Sequence, residues 1–594
     1  MCGIAGISGG NHQDGVRIGE SIAHRGPDFN GIWSDSSYTF SHRLLAIRSG
    51  EERSRQPWTT PSSPWVLLFN GQIYNTDAIK KRLPATYRDE ELDTALIFAL
   101  IEQERENFIE YIEGMFAIAL YEKDTKTLRL YRDPSGQKPL YYTEGITPFA
   151  FASEIKAILK GAAIPRVADD TAVQIAKTLG YIPGDKTLFA HIKKVRPGEA
   201  ITRTQDGNVV RTYFRSNTQI EDTKTNHEAL QETVVKHLAS KKKVALNLSG
   251  GMDSSLLLHE MSEAGFSMHT YTTRFVDAGS GVFNDDADLA RRLAKHYGST
   301  HKEILINRDT YRDNMLDAVR AIEEPNYNIS LATYLIIANA EGILGDQNRV
   351  TLSGDGGDEL FGGYDAYRTA LRYQTFMRSI TPLGFNIYKA LREGQWWDYA
   401  NPLDQWLRMK FFFFENTSTW RRAVRDYLAQ QLPPSWEKRS RDPVRDMMLL
   451  DRLFWLASEN FIRSDKLYMT QSLELRSPLS YEPLRRFFDR RLTEQDYFSV
   501  GVNKFTLRAL YTNKLPPFII DRTQKTGWRS PISNWWGEDY ATLFREAFRN
   551  APRGGNTDWD NVEQIINHKS TWPGKYLHLY YSLAVLSKEF DLPV

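Results

Sequence analysis

The sequence predicts two units of different class. An α+β unit of layered sheets and helices comes first, followed by an α/β unit with a doubly wound parallel sheet and a helical C-terminal elaboration. Three observations predict this. Over roughly the first 200 residues, apolar β-type runs (Trp65–Phe69, Phe116–Tyr121, Phe149–Ala152) are punctuated by glycine and proline turns. From His227 strands alternate with helices, which demands parallel pairing through helical crossovers. Beyond Gly363 helix formers and tryptophan dominate and strand signals fade.

Each element follows from its local pattern. DTALIFALIEQ, starting at Asp93, places apolar residues on a helical period, and a second helix is expected after Glu154. Residues 206–225 are polar and without sustained pattern, so they read as a linker between domains 1–205 and 226–594. In the second domain a helix leads into the strand VALNLSG (Val244–Gly250). A helix over Ser254–Ala264 and the strand TYTTRF (Thr270–Phe275) follow.

Composition narrows the class. A chain of 594 residues exceeds one hydrophobic core, and 41% hydrophobic with 25% charged residues excludes disorder. A formal net charge of +1 gives no global field to recruit nucleic acid or an anionic membrane. One cysteine excludes an intrachain disulfide and fits a reducing compartment. The start, MCGIAGISGG, lacks the basic and apolar regions of a signal peptide, and no stretch approaches the ~18 apolar residues of a membrane span. The expected setting is the cytoplasm, with small-molecule partners; a homodimer stays open.

Two patterns carry chemistry. Cys2 precedes Gly3, so removal of Met1 leaves a free α-amine on a thiol residue. That amine can take the proton of the nucleophile beside it. Met-Cys-Gly alone is weak, and an incidental cysteine is the competing reading. LSGGMDSS (Leu248–Ser255) lies between a predicted strand and helix, where Ser249, Gly250, Gly251, Ser254 and Ser255 form an anion cradle and Asp253 offers a carboxylate to Mg2+. A bare SGG is common in turns. The spaced glycine and Gly-Lys-Ser/Thr ending of a Walker A loop are absent.

The ordered segments MCGIAGI, HRGPD (His24–Asp28), HRLLAI (His42–Ile47), FNGQIYN (Phe69–Asn75), LDTALI (Leu92–Ile97), GMFAIALYE (Gly114–Glu122), RDPSGQKPLYY (Arg132–Tyr142) and FASEIKAIL (Phe151–Leu159) resemble the glutaminase domain of glutamine-hydrolysing asparagine synthetases. LSGGMDSS and LSGDGGDELFGGY (Leu352–Tyr364) resemble the ATP-pyrophosphatase loops of the same family. The resemblance implies a layered αββα Ntn-hydrolase domain followed by an ATP-pyrophosphatase domain. It implies a ligase that frees ammonia from glutamine, adenylates a carboxylate with Mg-ATP and passes ammonia between sites through a tunnel.

The resemblance also implies residue roles. Cys2 is the nucleophile, and Asn70 and Gly71 match the oxyanion hole. Arg43 matches the clamp on the glutamine carboxylate, and Asp93 matches the partner of its amine. Gln72 stands where the family has glutamate, which predicts weaker glutamine binding. Asp358 shares Mg2+ with Asp253, Ser353 and Gly354 contact nucleotide, and Asp355 lies near the reacting carboxylate. Leu248 and Thr273 flank adenine, and Lys525, in DRTQKTGWRSPISNWW, neutralises the adenylate and pyrophosphate. In SLELRSPLS (Ser472–Ser480), Ser480 replaces an aspartate, and Arg274 replaces a common glycine. Both departures bear on the acceptor. L-aspartate is the default, and a uronic-acid sugar or natural-product intermediate is the alternative. Phosphoribosyl amidotransferases lack SGGMDSS, β-lactam-forming relatives lack the cysteine, and a non-catalytic binding protein predicts decay of Cys2, Asp253, Asp358 or Lys525, all present.

Overall fold

In the computed structural model, the described residues are 2–594 except 49, 51, 218, 279–282, 344–347, 380–400, 411–417, 435, 437–441, 500–501, 523–529 and 568–573. The N-terminal strands are β1 (Gly3–Ser8), β2 (Phe29–Ser34), β3 (Tyr38–Leu44), β4 (Trp65–Ile73), β5 (Gly114–Glu122), β6 (Thr127–Arg132), β7 (Tyr141–Thr143), β8 (Ala150–Ala152), β9 (Ile192–Lys194), β10 (Glu199–Arg203) and β11 (Val209–Tyr213). They form two sheets, in the orders β2-β3-β1-β8-β7-β9 and β11-β10-β6-β5-β4, with antiparallel pairs throughout.

Strand β4 shows why these sheets stack. It is buried on both faces, so its apolar run is continuous rather than alternating. Val66 and Leu68 join Ile4, Phe40 and Phe151 in the core between the sheets. Trp65, Leu67 and Phe69 face the other way, toward Leu96, Ile97 and Leu100 of helix 93–104. By the same parity Asn70 and Gln72 share the inter-sheet face. Helices α1 (His12–Ser21), α2 (Thr76–Arg82), α3 (Asp93–Glu104), α4 (Ile155–Gly161) and α5 (Asp170–Leu179) supply the outer layers, giving αββα. Residues 209–213 correct the expected linker: this β-branched VVRTY segment pairs with β10 as an edge strand, although 206–225 reads as polar overall.

Helix α6 (Asn226–His237) opens the second unit under a Thr225–Glu228 capping box. Strands β12 (Lys243–Asn247), β13 (His269–Phe275), β14 (Thr300–Ile306), β15 (Asn348–Leu352) and β16 (Glu474–Arg476) form a parallel sheet ordered β14-β13-β12-β15-β16. The order reverses at β12, which is the switch point of a doubly wound sheet. Helices α7 (Met252–Glu263), α8 (Asp285–His296), α9 (Arg308–Asp313), α10 (Met315–Ile322), α11 (Leu331–Gly342) and α12 (Gly357–Phe361) follow the strands, and the C-terminal segment is helical, ending in Lys575–Glu589. Among the described residues no helix is long and apolar enough to cross a membrane.

The two units share an apolar interface. One apolar cluster runs from Ile7 and Ile158 through Val173 to Met315 and Leu331. Buried charges cross it in satisfied sets. Glu323 accepts from the backbone amides of Ile155 and Lys156 at 2.9 and 3.0 Å, capping α4 from the far unit, and meets Lys466 Nζ at 2.7 Å. Lys194 meets Glu324 at 2.8 Å.

Behind the parallel sheet, Glu341 of α11 accepts from Thr351 at 2.6 Å and Tyr468 at 3.3 Å with no cation among its influences. Burial pushes its carboxyl up from 4.5 to about 7. Below pH 4.5 both folded and unfolded chains hold this proton. Between 4.5 and 7 only the folded chain does, so rising pH costs stability, up to about 3 kcal/mol above 7. Glu341→Gln removes that cost. Its Tm should gain on the wild type progressively from pH 4.5 to 7, and a pH-independent difference would refute the assignment.

Two candidate active sites

Cys2 sits at the start of β1, buried at the mouth of the two sheets. Its backbone N–H donates to Asn70 Oδ1 at 2.9 Å, and its carbonyl accepts from Arg25 Nε at 3.2 Å. The first contact fixes the Asn70 amide: Oδ1 faces the donor, so Nδ2 turns outward, buried and without a partner. An unpaired, fixed N–H donor beside the thiol residue is what a tetrahedral oxyanion would require. Burial pushes the Cys2 thiol up, and the Leu45 amide and Arg25 act against it. Arg25 is itself locked between Glu154 and Asp465, each at 2.8 Å. The backbone of Cys2 is therefore held through one arginine that reaches the second unit.

Gly71 has a structural reason to lack a side chain: a Cβ there would sit 2.1 Å from Met115 O on β5. Arg43 stands opposite Gly3 in the β1–β3 ladder, with Nε donating to Gly19 O at 2.9 Å. Asp93, at the first position of α3, accepts from Arg48 at 2.8 Å, Gln72 Nε2 at 2.8 Å and the Ile73 amide at 2.9 Å. Gln72 also accepts from Arg476 Nη2 at 3.2 Å. The neutral amide thus bridges Asp93 to an arginine of β16. Arg48 lies outside the quoted segments, and Arg476 falls in SLELRSPLS, which belongs to the second unit and so does not suggest a contact with Gln72.

The second site is a cavity of about 320 Å3 at the C-terminal edge of the parallel sheet, at the switch point. Leu248, Ser249, Gly250, Gly251, Asp253 and Ser254 line one wall, and Thr273 another. Ser353, Gly354, Asp355 and Asp358 close the third. The N-cap of α7 is Gly251, with no side-chain cap, so the first amides of the helix are offered to an anion. Ser255 does not line the cavity; its amide and hydroxyl both bond back to Gly251 O. The loops touch through glycines. A Cβ on Gly357 would lie 2.4 Å from Asp253 Oδ1, and one on Gly363 would overlap Asp358.

Asp253 and Asp358 do converge, on a cation that the motifs did not reveal. Lys504 Nζ lies 2.6 Å from Asp253 Oδ1 and 2.7 Å from Asp358 Oδ1. Burial lowers the Lys504 pKa, but the two carboxylates outweigh it and hold the ammonium charged well above its usual range. Arg508 and Arg522 also line the cavity. Two carboxylates already gathered round a positive charge have the donor chemistry of a hard divalent cation. Asp355 accepts from Ser353 Oγ at 2.8 Å and Asn460 Nδ2 at 3.2 Å, and burial pushes its carboxyl up. Asn460 ends the widened π-helical stretch Asp451–Asn460. Lys525 lies outside the described residues.

The two acceptor-related departures separate. Arg274 does not line the cavity; it pairs with Glu303 of β14 at 2.6 Å and with Asp288 at 2.5 Å. Ser480 supports the cavity wall from behind, donating to Asp355 O at 3.1 Å, while its carbonyl accepts from Ser135 Oγ at 2.6 Å.

The sequence comparisons match this division. Residues 1–214 match the glutamine amidotransferase domain family, and residues 226–586 match the asparagine synthase family. The chain is 26% identical to asparagine synthetase [glutamine-hydrolyzing] 1 of Bacillus subtilis strain 168, covering 98% of this chain and 97% of that protein. It is 28% identical to asparagine synthetase [glutamine-hydrolyzing] 3 of the same organism, over 83% and 80%. Among solved structures, an allosteric regulatory enzyme of purine biosynthesis aligns at 14% identity and TM-score 0.28, covering 52% of this chain and 80% of that one. The chain belongs to the asparagine synthase family and carries a glutamine amidotransferase domain ahead of its synthase domain.

Proposed function

We propose that this enzyme hydrolyses glutamine at Cys2 and transfers the ammonia to L-aspartate activated as an acyl-adenylate, forming asparagine, AMP and pyrophosphate. Residues 1–213, closed by the edge strand β11, would be the glutaminase, 214–225 the connection and 226–594 the synthetase. The observation that carries the reading is the Asn70 amide, pinned by the Cys2 N–H with its Nδ2 unpaired, in the same molecule as a phosphate-type cavity. The Cys2 amine, once freed, takes the thiol proton. Sulfur attacks the glutamine amide carbon while Asn70 Nδ2 receives the oxyanion; ammonia leaves with a proton, and water releases glutamate. In the second cavity Lys504 and the α7 amides hold phosphate oxygens as the acceptor carboxylate attacks the α-phosphorus and pyrophosphate departs. Asp253 and Asp358 would hold Mg2+, which supplies charge neutralisation on the departing pyrophosphate.

Two substitutions test the first site. Asn70→Ala should lower glutaminase kcat about 10²- to 10³-fold with glutamine KM within about threefold; unchanged kcat refutes the oxyanion role. Gln72→Glu adds a negative charge beside Asp93 and opposite Arg476. It should lower glutamine KM roughly 3- to 10-fold, worth about 1 kcal/mol, and a constant KM would remove Gln72 from glutamine recognition.

The acceptor is tested with purified enzyme, glutamine, Mg-ATP and aspartate, following asparagine and pyrophosphate together. Stoichiometric asparagine supports the reading, whereas pyrophosphate without asparagine defeats it. Ser480 behind Asp355 favours one alternative: the same chemistry on a uronic-acid sugar or natural-product carboxylate. Acceptor-dependent pyrophosphate release with such a carboxylate, and none with aspartate, would establish it.

A further inference from the structure

Three metal-ligating side chains meet away from both sites. His227 is the second residue of α6, and His259 and Glu260 are neighbours on α7. One ligand atom from each lies within 4.8 Å of the other two. His227 Nε2 is 3.1 Å from Glu260 Oε1. Glu260 is fully buried and His259 is 6% exposed.

The surroundings leave the ligand atoms over. Glu260 Oε2 and His259 Nε2 are buried and make no hydrogen bond. The Tyr297 hydroxyl donates to Lys514 O at 3.2 Å, so at 3.1 Å it accepts from His259 Nδ1–H. That places the ring proton on Nδ1 and leaves the Nε2 lone pair free. Tyr511 O–H donates to Glu260 Oε1 at 2.7 Å. These are the outer contacts that orient ligating imidazoles and carboxylates. Burial also holds the His259 pKa below its ordinary value, favouring the neutral ring that a metal needs.

We propose that His227, His259 and Glu260 bind one divalent transition-metal ion of zinc type, with water in the fourth position. Two imidazoles and one carboxylate suit zinc, whereas Mg2+ and Ca2+ select oxygen. Zinc bonds of about 2.0–2.1 Å require the three side chains to draw together on binding. The ion is a brace rather than a reactant. It ties the start of α6 to α7, whose first turn carries Asp253, and its supporting Tyr511 ends the helix Phe505–Tyr511 that begins beside Lys504.

The test uses the full-length enzyme stripped with a chelator, then titrated with ZnCl2 by calorimetry and with Co2+ as an optical probe. One equivalent of zinc and the visible d–d bands of low-coordinate cobalt are expected. His259→Gln and His227→Ala should each weaken zinc by at least about 100-fold, beyond the loss typical of outer-shell partners, and His12→Ala should change nothing. His227 is 23% exposed, so its truncation opens no core cavity and decides the matter even if the His259 variant fails to fold. Absence of saturable micromolar binding in the wild type, or wild-type affinity in His227→Ala, would leave the cluster an ion pair and overturn the proposal.

Discussion

Cys2→Ala is expected to lower glutamine-dependent synthesis by at least about 10³-fold while ammonium-dependent synthesis stays within about twofold. The substitution removes one sulfur atom, and the two contacts that place residue 2 use its backbone: N–H to Asn70 and carbonyl to Arg25. The chain path therefore survives, and only the nucleophile is lost. A variant that retains Met1 should behave alike, because its amine is displaced from the thiol by one residue. Parallel assays with glutamine and ammonium salts check this. Equal loss with both donors would mean that the fold failed, and retained glutamine use would end the claim for Cys2.

Lys504→Met is expected to lower ATP–pyrophosphate exchange at least about 100-fold, with glutaminase within about threefold. The thioether keeps the stem and removes the charge, leaving Asp253 and Asp358 face to face. A 100-fold loss is about 2.7 kcal/mol of lost stabilisation of the charge on the phosphates. Lys504 has a left-handed backbone (φ 56°), and methionine bears the same strain, so the comparison isolates the charge. The triad should also be non-additive: Lys504→Met with Asp358→Asn should cost less than the sum of the singles. A fall in Tm and in glutaminase as large as the loss of exchange would instead make Lys504 a structural residue.

Neighbours in the sequence are neighbours in space where the structure is local. Ser249, Gly250, Gly251 and Asp253 lie within one strand-to-helix turn, so their order along the chain is nearly their order in space. Cys2 and Asn70 are 68 positions apart, yet each sits in a segment that stands out, and the β4 parity sends Asn70 to the face that meets β1. Lys504 escaped because it is 251 positions from Asp253 and, without its partners, looks like any lysine. Arg274 was located but not aimed. Its place on β13 is legible, but its direction is set by Glu303, a diagonal neighbour on β14. Ser255 was placed beside the loop but not aimed for a related reason: a helix spends the residue's own amide and hydroxyl on Gly251.

By itself, then, the sequence determined the two-unit architecture and pointed to Cys2, Asn70 and the Leu248–Ser255 loop as the places to look for chemistry. Those depend on period and on short-range spacing, which survive in one dimension. Only the tertiary structure decided where charged side chains find partners: Arg25 between Glu154 and Asp465, Gln72 between Asp93 and Arg476, Lys504 between two aspartates, and Glu260 beside His227. Each joins residues distant in sequence. A buried charge takes whichever partner packing brings within about 3 Å, and local pattern does not record that choice.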